Sequence, residues 1–223
     1  MSDTRHAFRP LGFVRREPAD MLRRAMDFAA EMETRHSARA FSTEPVPREL
    51  IELAVRTAGT APSGAHQQPW TFVVVSDPEL KRRIREQAEA EERKNYGGRM
   101  PPEWIEALAP LGTDFVKTHI TDAPYVVVLF RQAWGVAENG KRRTHYYTNE
   151  SCGIAAGFFI AAIHHMGLST LTHTPSPMGF LTKLLERPES EKPFLLMPVG
   201  YPAPDAQVPD LQRKPVDDVA VWF

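Results

Sequence analysis

Two arginines and a serine stand close together in residues 34–41, which read TRHSARAF. Arg35 and Arg39 flank Ser37, so two planar cations and a hydroxyl donor lie within a few residues of one another. A guanidinium can bind phosphate oxygens through two parallel hydrogen bonds, which suits this group to a phosphate. An exposed basic turn is the simpler interpretation of the segment taken alone, and the phosphate site is the alternative.

A second candidate is the stretch of small residues at 56–70, RTAGTAPSGAHQQPW. Gly64 can take backbone angles closed to other residues, and Pro62 fixes one dihedral angle. Because Ser63 and Ala65 carry little side chain, a planar ligand could lie directly against the peptide groups here. Glycine and proline also punctuate ordinary loops, so a tight connection from helix to strand is the alternative.

A charged helix followed by a Gly-Pro break forms the third candidate. Glu92 and Tyr96 are four residues apart and share a face if the helix continues to Tyr96. Gly97 and Gly98 then break the pattern, a second helical run follows, and Lys117 lies at the end of a third short one. Such a pattern predicts a mobile lid over a substrate. For most of the charged segment 81–94, a solvated surface helix is the simpler interpretation.

Other motifs give weaker signals. Residues 135–141 match the GxxxxGK half of a phosphate-binding loop, but Arg142 replaces the expected Ser or Thr and no apolar-faced helix follows. We therefore expect no nucleotide there. His164 and His165 are adjacent and point in different directions, and no other spacing resembles a metal site, so we expect no metal.

Composition narrows the class of protein. The 223 residues suffice for one large domain with a core, and 27 basic against 28 acidic residues argue against nucleic-acid partners. Cys152 is the single cysteine, which excludes an internal disulfide and fits a reducing, cytoplasmic compartment. Neither a membrane-length apolar stretch nor a signal-like start is present, so we expect no membrane attachment.

The elements that must position these candidates alternate between helices and strands, which predicts a layered α/β or α+β sheet. Residues 149–166 predict a helix that is apolar all round, with Gly153 and Gly157 spaced to admit a second helix at a subunit interface. The apolar tail 216–223 is expected to pack on this subunit or a partner. Helices are predicted to begin at Pro18, Pro47 and Pro78, and strands to cover 71–75, 125–130, 168–174 and 194–199.

Several of these segments together resemble the FMN-dependent nitroreductase superfamily, and within it the iodotyrosine deiodinase family. The resemblance covers roughly residues 34–215. It is carried by the basic run 35–39, the loop 61–65 followed by QPW, HYY at 145–147, the threonine-rich strand end at 172–174, MPVGYP at 197–202 and VPDLQRKP at 208–215.

The resemblance implies an α+β, nitroreductase-like fold with a central mixed β-sheet flanked by helices, in an intertwined homodimer that holds FMN at its interface. The implied domains are an N-terminal arm and helix (1–33), an FMN domain (34–215) with its lid at about 90–117, and a C-terminal tail (216–223). Membrane-bound members carry an N-terminal anchor that this sequence lacks, which predicts a soluble, bacterial-type form.

The resemblance also implies roles for individual residues. The Thr172 hydroxyl would be the catalytic donor to flavin N5, which favours single-electron transfer. His36 stands at a position often taken by Arg. The implied FMN contacts are Arg35, His36, Ser37, Ala38 and Arg39 at the phosphate and ribityl end, Ser63 at the flavin, Thr172, His173 and Thr174 at the ring edge, and Arg213, which completes the site.

Glu92, Tyr96 and Lys117 resemble the three residues that grip the amino-acid end of a halotyrosine, and their chemistry agrees with that role. A zwitterion needs an anion for its ammonium group and a cation for its carboxylate. The Ala65 N–H would bind the phenolate oxygen. The implied reaction is reductive dehalogenation of 3-iodotyrosine and 3,5-diiodotyrosine to tyrosine and halide, with NAD(P)H or a reductase as electron source.

Two other functions remain open at the level of sequence. A broad-specificity FMN nitroreductase or quinone reductase would use the same cofactor with hydride transfer, although nitroarenes need no grip on a zwitterion. A flavin-binding or ligand-binding protein without redox turnover is the other alternative.

Overall fold

The computed structural model describes residues 7–137 and 139–223, and it divides the chain into two compact units between Thr34 and Arg35. In the first unit, backbone without regular structure leads to α1 (Pro18–Glu33), which begins at the predicted proline. Surface ion pairs join Arg23 to Asp20 and Asp27 along this helix. Residues 1–6 of the predicted arm lie outside the described residues.

The second unit alternates helices with strands. No helix among the described residues combines the length and apolarity needed to cross a membrane. The helices are α2 (Arg48–Ala58), α3 (Pro78–Lys94), α4 (Pro102–Leu108), α5 (His119–Asp122), α6 (Thr148–His165) and α7 (Gly179–Leu184), and the strands are β1 (Trp70–Val75), β2 (Tyr125–Gln132), β3 (Trp134–Val136), β4 (Arg142–Thr144), β5 (Ser169–Thr170) and β6 (Glu191–Gly200).

The central sheet has the order β1-β2-β6-β5, and its neighbouring strands are antiparallel. In the described chain, the predicted mixed character of the sheet rests on one parallel bridge between Ser37 and Thr170. The predicted strand 168–174 is shorter than expected, because its pairing stops after Thr170 and resumes only as a bridge from His173 to Leu196. Pro198 lies on the intervening stretch of β6 and has no N–H to donate to the ladder.

Helices cover both faces of the sheet. Val127 and Leu129 of β2 point into a core cluster with α2 and α6, whereas Val126, Val128 and Phe130 point into a second cluster with α3, α5 and α7. All five side chains are fully buried. Because both faces are covered, β2 is a continuous apolar run without the alternation of a half-solvated strand.

Helix α6 is buried on one side only within this chain, although the sequence predicts burial all round. Cys152 and Phe159 face the core, while Ile154 and Phe158 are exposed. Gly153 and Gly157 lie on the exposed side, and a Cβ added at Gly157 would meet no described heavy atom within 4 Å. An apolar face of α6 therefore remains uncovered by the described part of the chain.

The glycine-rich run 135–141 lies in a hairpin formed by β3 and β4, and its member Glu138 lies outside the described residues. Gly135 packs closely against His145, since a Cβ there would lie 2.9 Å from Nε2 of His145 and would force that side chain to shift. Arg142, where a phosphate-binding loop has Ser or Thr, stacks its guanidinium 4.8 Å from the ring centre of Trp134. The spacing of this motif thus reflects hairpin geometry.

Candidate functional site

The basic residues predicted to bind phosphate are brought together around one cavity. Arg35, Ser37 and Arg39 line a cavity of about 290 Å³ together with His36 and Arg213, and no carboxylate is among its described lining residues. A guanidinium N–H of Arg213 donates to the Arg35 carbonyl oxygen at 2.7 Å, which joins segments far apart in sequence. Burial lowers the pKa of the Arg39 guanidinium.

Ala38, the remaining predicted member of this group, directs its side chain elsewhere. It packs in a small buried cluster with Phe41, Ala123 and Leu171. Its methyl group therefore anchors the basic segment to the core, and only its backbone is left for a ligand.

A second cavity, of about 410 Å³, adjoins the first, because Arg39 and Leu111 line both. The structure therefore places the predicted phosphate group beside the predicted substrate group. The predicted residues that line this larger cavity are Arg39, Glu92, Tyr96, Lys117, Thr172, His173 and Thr174.

Opposite charges face this larger cavity at short range. Glu92 Oε2 lies 3.8 Å from Lys117 Nζ, and Nζ lies 6.0 Å from the ring centre of Tyr96. The Lys117 ammonium also donates to Thr113 Oγ1 at 3.2 Å and to the Asp114 carbonyl oxygen. Burial lowers the pKa of Lys117 and raises that of Tyr96. The arrangement offers an anion, a cation and a hydroxyl to one ligand.

Different backbone elements position the side chains of Glu92, Tyr96 and Lys117. Glu92 lies near the end of α3, and a π-helical turn (Asn95–Arg99) extends that helix to carry Tyr96, with Gly98 at φ 121°. Lys117 lies in irregular backbone before α5, so its predicted place at a helix end is wrong. Gly112, in the left-handed conformation, ends the preceding helical turn.

A buried carboxylate that the sequence analysis missed holds the Lys117 backbone. Glu89 Oε1 accepts hydrogen bonds from the Lys117 amide at 2.9 Å and from Arg85 Nε at 2.7 Å. Burial acts to raise the pKa of Glu89, but these hydrogen bonds outweigh it and lower the pKa. Glu89 stands three residues before Glu92, so helical spacing could have found it. The interpretation of α3 as a solvated helix led the sequence analysis to overlook Glu89 and also the buried Lys81.

The predicted alternation of threonine hydroxyls at 172–174 is present. Thr172 and Thr174 are exposed and line the larger cavity, while the intervening His173 is buried. Its Nε2 lies 3.5 Å from Glu92 Oε1 and has no hydrogen-bond partner among the described residues. The segment thus presents hydroxyls on one side and an imidazole on the other.

A second buried imidazole, which sequence patterns did not indicate, lies against the first. His119 Nε2 is 3.5 Å from His173 Nδ1, and the two rings meet edge to face with their centres 5.3 Å apart. Burial, aided by nearby His173, Lys117 and Arg39, lowers the pKa of His119 to about 3. Burial also lowers the pKa of His173, although Glu92 opposes that shift. Both imidazoles are therefore neutral at pH 7.

We expect the unfolding free energy to fall as pH decreases below about 6.5, the ordinary histidine pKa. Above that pH both imidazoles are neutral whether the chain is folded or not. Below it the unfolded chain binds protons that the native His119 excludes until about pH 3, so stability drops by about 1.4 kcal/mol per pH unit. Urea unfolding from pH 7.5 to 4.5, at fixed protein and ligand concentrations, measures the slope, which should be shallower in His119→Gln. Equal slopes would contradict the expectation.

The loop of small residues adopts a strained conformation. Ala65, His66 and Gln68 all have positive φ, at 49°, 54° and 47°, in a region that residues with a Cβ rarely occupy. Strain of this kind persists where the surroundings impose it and clusters at functional sites. The Gly64 amide lies 3.4 Å from Ser151 Oγ, so the loop packs on the start of α6. Ser63 and Ala65 are not among the residues that line either cavity.

Comparisons with known proteins identify the family to which the chain is related. A family model described as "Nitroreductase family" matches residues 32–201. The chain is 56% identical over 217 residues to an iodotyrosine deiodinase of Haliscomenobacter hydrossis, covering 97% of this chain and 98% of the relative. It is 47% identical to iodotyrosine deiodinase 1 of Homo sapiens, covering 91% of this chain and 70% of the relative.

A solved structure is similar over most of its length. It is the crystal structure of an oxidized iodotyrosine deiodinase bound to FMN and 3-iodo-L-tyrosine, with a TM-score of 0.75 and 27% identity, covering 84% of this chain and 95% of that one.

Proposed function

The chain belongs to the nitroreductase family, and from that premise we propose that it is an FMN-dependent iodotyrosine deiodinase. It removes the halogen from 3-iodotyrosine and 3,5-diiodotyrosine reductively and releases tyrosine and halide. The observation that carries this proposal is the pairing of Glu92 with Lys117 at a cavity bordered by Thr172 and Thr174. A nitroarene or a quinone has no ammonium and carboxylate groups for such a pair to bind.

FMN fits the chemistry of the two joined cavities. The smaller one supplies the guanidinium groups of Arg35, Arg39 and Arg213 with the Ser37 hydroxyl, and its described lining holds no carboxylate, so the donor set suits a phosphate. The exposed threonine side of the segment 172–174 suits the ring system, and we assign the Thr172 hydroxyl as donor to flavin N5. When bound, FMN supplies the two electrons that, with one proton, convert a carbon–iodine bond into carbon–hydrogen and iodide.

The chain's own residues bind and orient the halotyrosine. Glu92 accepts hydrogen bonds from the substrate ammonium, Lys117 binds the substrate carboxylate, and the Tyr96 hydroxyl adds a hydrogen bond. Trp104 and Leu108 of α4 also line the cavity, which supports the proposal that the segment at about 90–117 is a lid. A closed lid excludes water from the reacting ring and strengthens every polar contact beneath it.

A homodimer completes this site. Ser63 and Ala65 are not among the described residues that line the two joined cavities, so we propose that the loop of one copy covers the flavin held by the other, with the Ala65 N–H on the substrate phenolate. Three features support pairing: the apolar face of α6, the exposed apolar end of the tail 216–223, and β1, which has one neighbour in the described sheet. Surfaces of this kind mark protein interfaces.

The electron source and the compartment are part of the same proposal. Reduced FMN must be regenerated, and NAD(P)H or a separate reductase would do so. Cys152 is buried, and burial raises its pKa to about 12, so it carries no reactive thiolate at neutral pH. This agrees with a reducing, cytoplasmic environment, which needs no disulfide.

An anaerobic reduction experiment tests the function. Holoprotein reduced with dithionite should be reoxidised by 3-iodotyrosine, releasing one iodide per flavin, as followed by the flavin absorbance and an iodide electrode. Reoxidation by a nitroarene without iodide release from iodotyrosine would favour the broad nitroreductase instead. A yellow protein that neither substrate reoxidises would indicate binding without turnover.

A further inference from the structure

Two buried imidazoles stand behind the carboxylate that is proposed to bind the substrate ammonium. His173 Nε2 is 3.5 Å from Glu92 Oε1, and His173 Nδ1 is 3.5 Å from His119 Nε2. His119 is 5% exposed and His173 is 9% exposed. All three side chains line the larger cavity.

The contact with Glu92 selects one tautomer of His173. Its Nε2 is buried and has no hydrogen-bond partner in the described part of the chain, and a Glu92 carboxylate oxygen faces it. A bare lone pair on Nε2 would repel that oxygen, whereas Nε2–H would donate to it. At 3.5 Å the two atoms are close enough for their electrostatic interaction to favour one tautomer in this buried setting.

A neutral imidazole that carries its proton on Nε2 has a lone pair on Nδ1, which then needs a donor. His119 Nε2 is placed to supply one. We propose that His119 is a positioning residue, which donates to His173 Nδ1 and so fixes the tautomer in which His173 orients the Glu92 carboxylate toward the substrate ammonium. This inference rests on the proposed function.

Neutral imidazoles suit this task better than charged ones would. A protonated His173 would neutralise Glu92 and compete with the substrate ammonium. Lys117 and Arg39 disfavour protonation of both imidazoles, and Arg85 disfavours protonation of His119. Of these nearby charges, Glu92 favours protonation of His173. His173 also lies on the segment that presents the threonine hydroxyls, so the orientation of Glu92 is tied to the side proposed to face the flavin.

Two substitutions at His119 distinguish the effect of losing its N–H donor from the effect of changing its side-chain volume. His119→Leu keeps most of the volume and removes the N–H, whereas His119→Gln places an amide N–H near the original Nε2. With dithionite-reduced holoprotein, we expect His119→Leu to raise KM for 3-iodotyrosine about tenfold, because losing the hydrogen bond to the neutral His173 also loosens the contact by which His173 orients Glu92, and to change kcat less than about twofold. His119→Gln should restore most of the affinity.

Binding without turnover gives a second readout. Quenching of flavin fluorescence in the oxidised holoprotein should show the same loss of affinity for 3-iodotyrosine in His119→Leu. Affinity for 2-iodophenol, which has no ammonium group, should be unchanged. Equal losses for both ligands, or equal losses in both variants, would mean that His119 only supports packing and would overturn the proposal.

The wild-type protein provides a test that needs no variant. A long-range ¹H–¹⁵N spectrum of the histidine rings should show His173 protonated on Nε2, and protonation on Nδ1 would overturn the proposal even if His119→Leu fails to fold. Wild-type holoprotein that is folded and reducible but does not release iodide would instead reject the proposed function, and this inference with it. Iodide release with unchanged binding in His119→Leu would reject this inference alone.

Discussion

Replacing Glu92 with Gln is expected to raise KM for 3-iodotyrosine roughly 10- to 150-fold, because a hydrogen bond to a charged group contributes about 1.5–3 kcal/mol. The amide has nearly the shape of the carboxylate but cannot attract an ammonium group as an anion does. The substitution also removes the electrostatic attraction between Lys117 Nζ and Glu92 Oε2, which lie 3.8 Å apart. Steady-state kinetics with chemically reduced holoprotein measure the change.

The same chemical substitution elsewhere on α3 is the control for this prediction. Glu86 is exposed and pairs with Arg82 on the helix surface, so Glu86→Gln should leave KM unchanged. Turnover of 2-iodophenol, which lacks the amino-acid end, should be the same in the wild type and in Glu92→Gln. If KM for 3-iodotyrosine stays at the wild-type value in Glu92→Gln, Glu92 does not bind the substrate ammonium.

Local periodicity predicted the parts of the site that one element supplies. Glu92 and Tyr96 share a face because a π-helical turn extends α3 past Lys94, and the threonine hydroxyls at 172–174 alternate as extended backbone requires. The family and its fold were likewise identifiable from short motifs. Residues of three of these motifs, the basic run 35–39, the segment 172–174 and the segment 208–215, line the two adjoining cavities.

Contacts that cross the fold were beyond the reach of local patterns. On one side β6 pairs with β2, the strand that follows α5 in the chain, and on the other side it pairs with the segment that carries His173. This pairing brings His119 of α5 against His173. No spacing within either segment indicates this. The predicted place of Lys117 at a helix end is wrong because Gly112, a glycine in the left-handed conformation that typically ends helices, stops the preceding helical turn, and irregular backbone follows.

Burial was the other source of error, since hydrophobic patterning assumes that charged residues face water. Lys81 is buried because its ammonium donates to the carbonyl oxygens of Thr121 at 3.1 Å and Ala123 at 2.7 Å. By contrast, Ile154 and Phe158 of α6 are exposed in the single chain, and the predicted burial of this helix at a subunit interface stays a prediction. The first difference reflects hydrogen bonds that only the fold supplies, and the second points to a further surface.

Gly157→Leu is expected to give a folded monomer that binds FMN weakly and loses at least about a hundredfold in deiodination, because the proposed dimer completes the site. A Cβ at Gly157 would meet no described heavy atom within 4 Å, so the chain itself has room for a side chain there. Leucine also favours a helix more than glycine does, by about 1 kcal/mol. Within one chain the substitution should therefore be neutral or stabilising.

Against a second copy the same side chain would be disruptive, since it fills the space through which another helix would approach the exposed face of α6. Sedimentation velocity, flavin absorbance after desalting and circular dichroism together measure assembly, cofactor retention and folding. Gln87→Leu, on the exposed face of α3, adds the same apolar group outside the proposed interface and should remain a yellow dimer. A Gly157→Leu protein that stays dimeric and yellow would place the interface elsewhere, and a wild-type monomer that holds FMN would remove the need for a partner's loop.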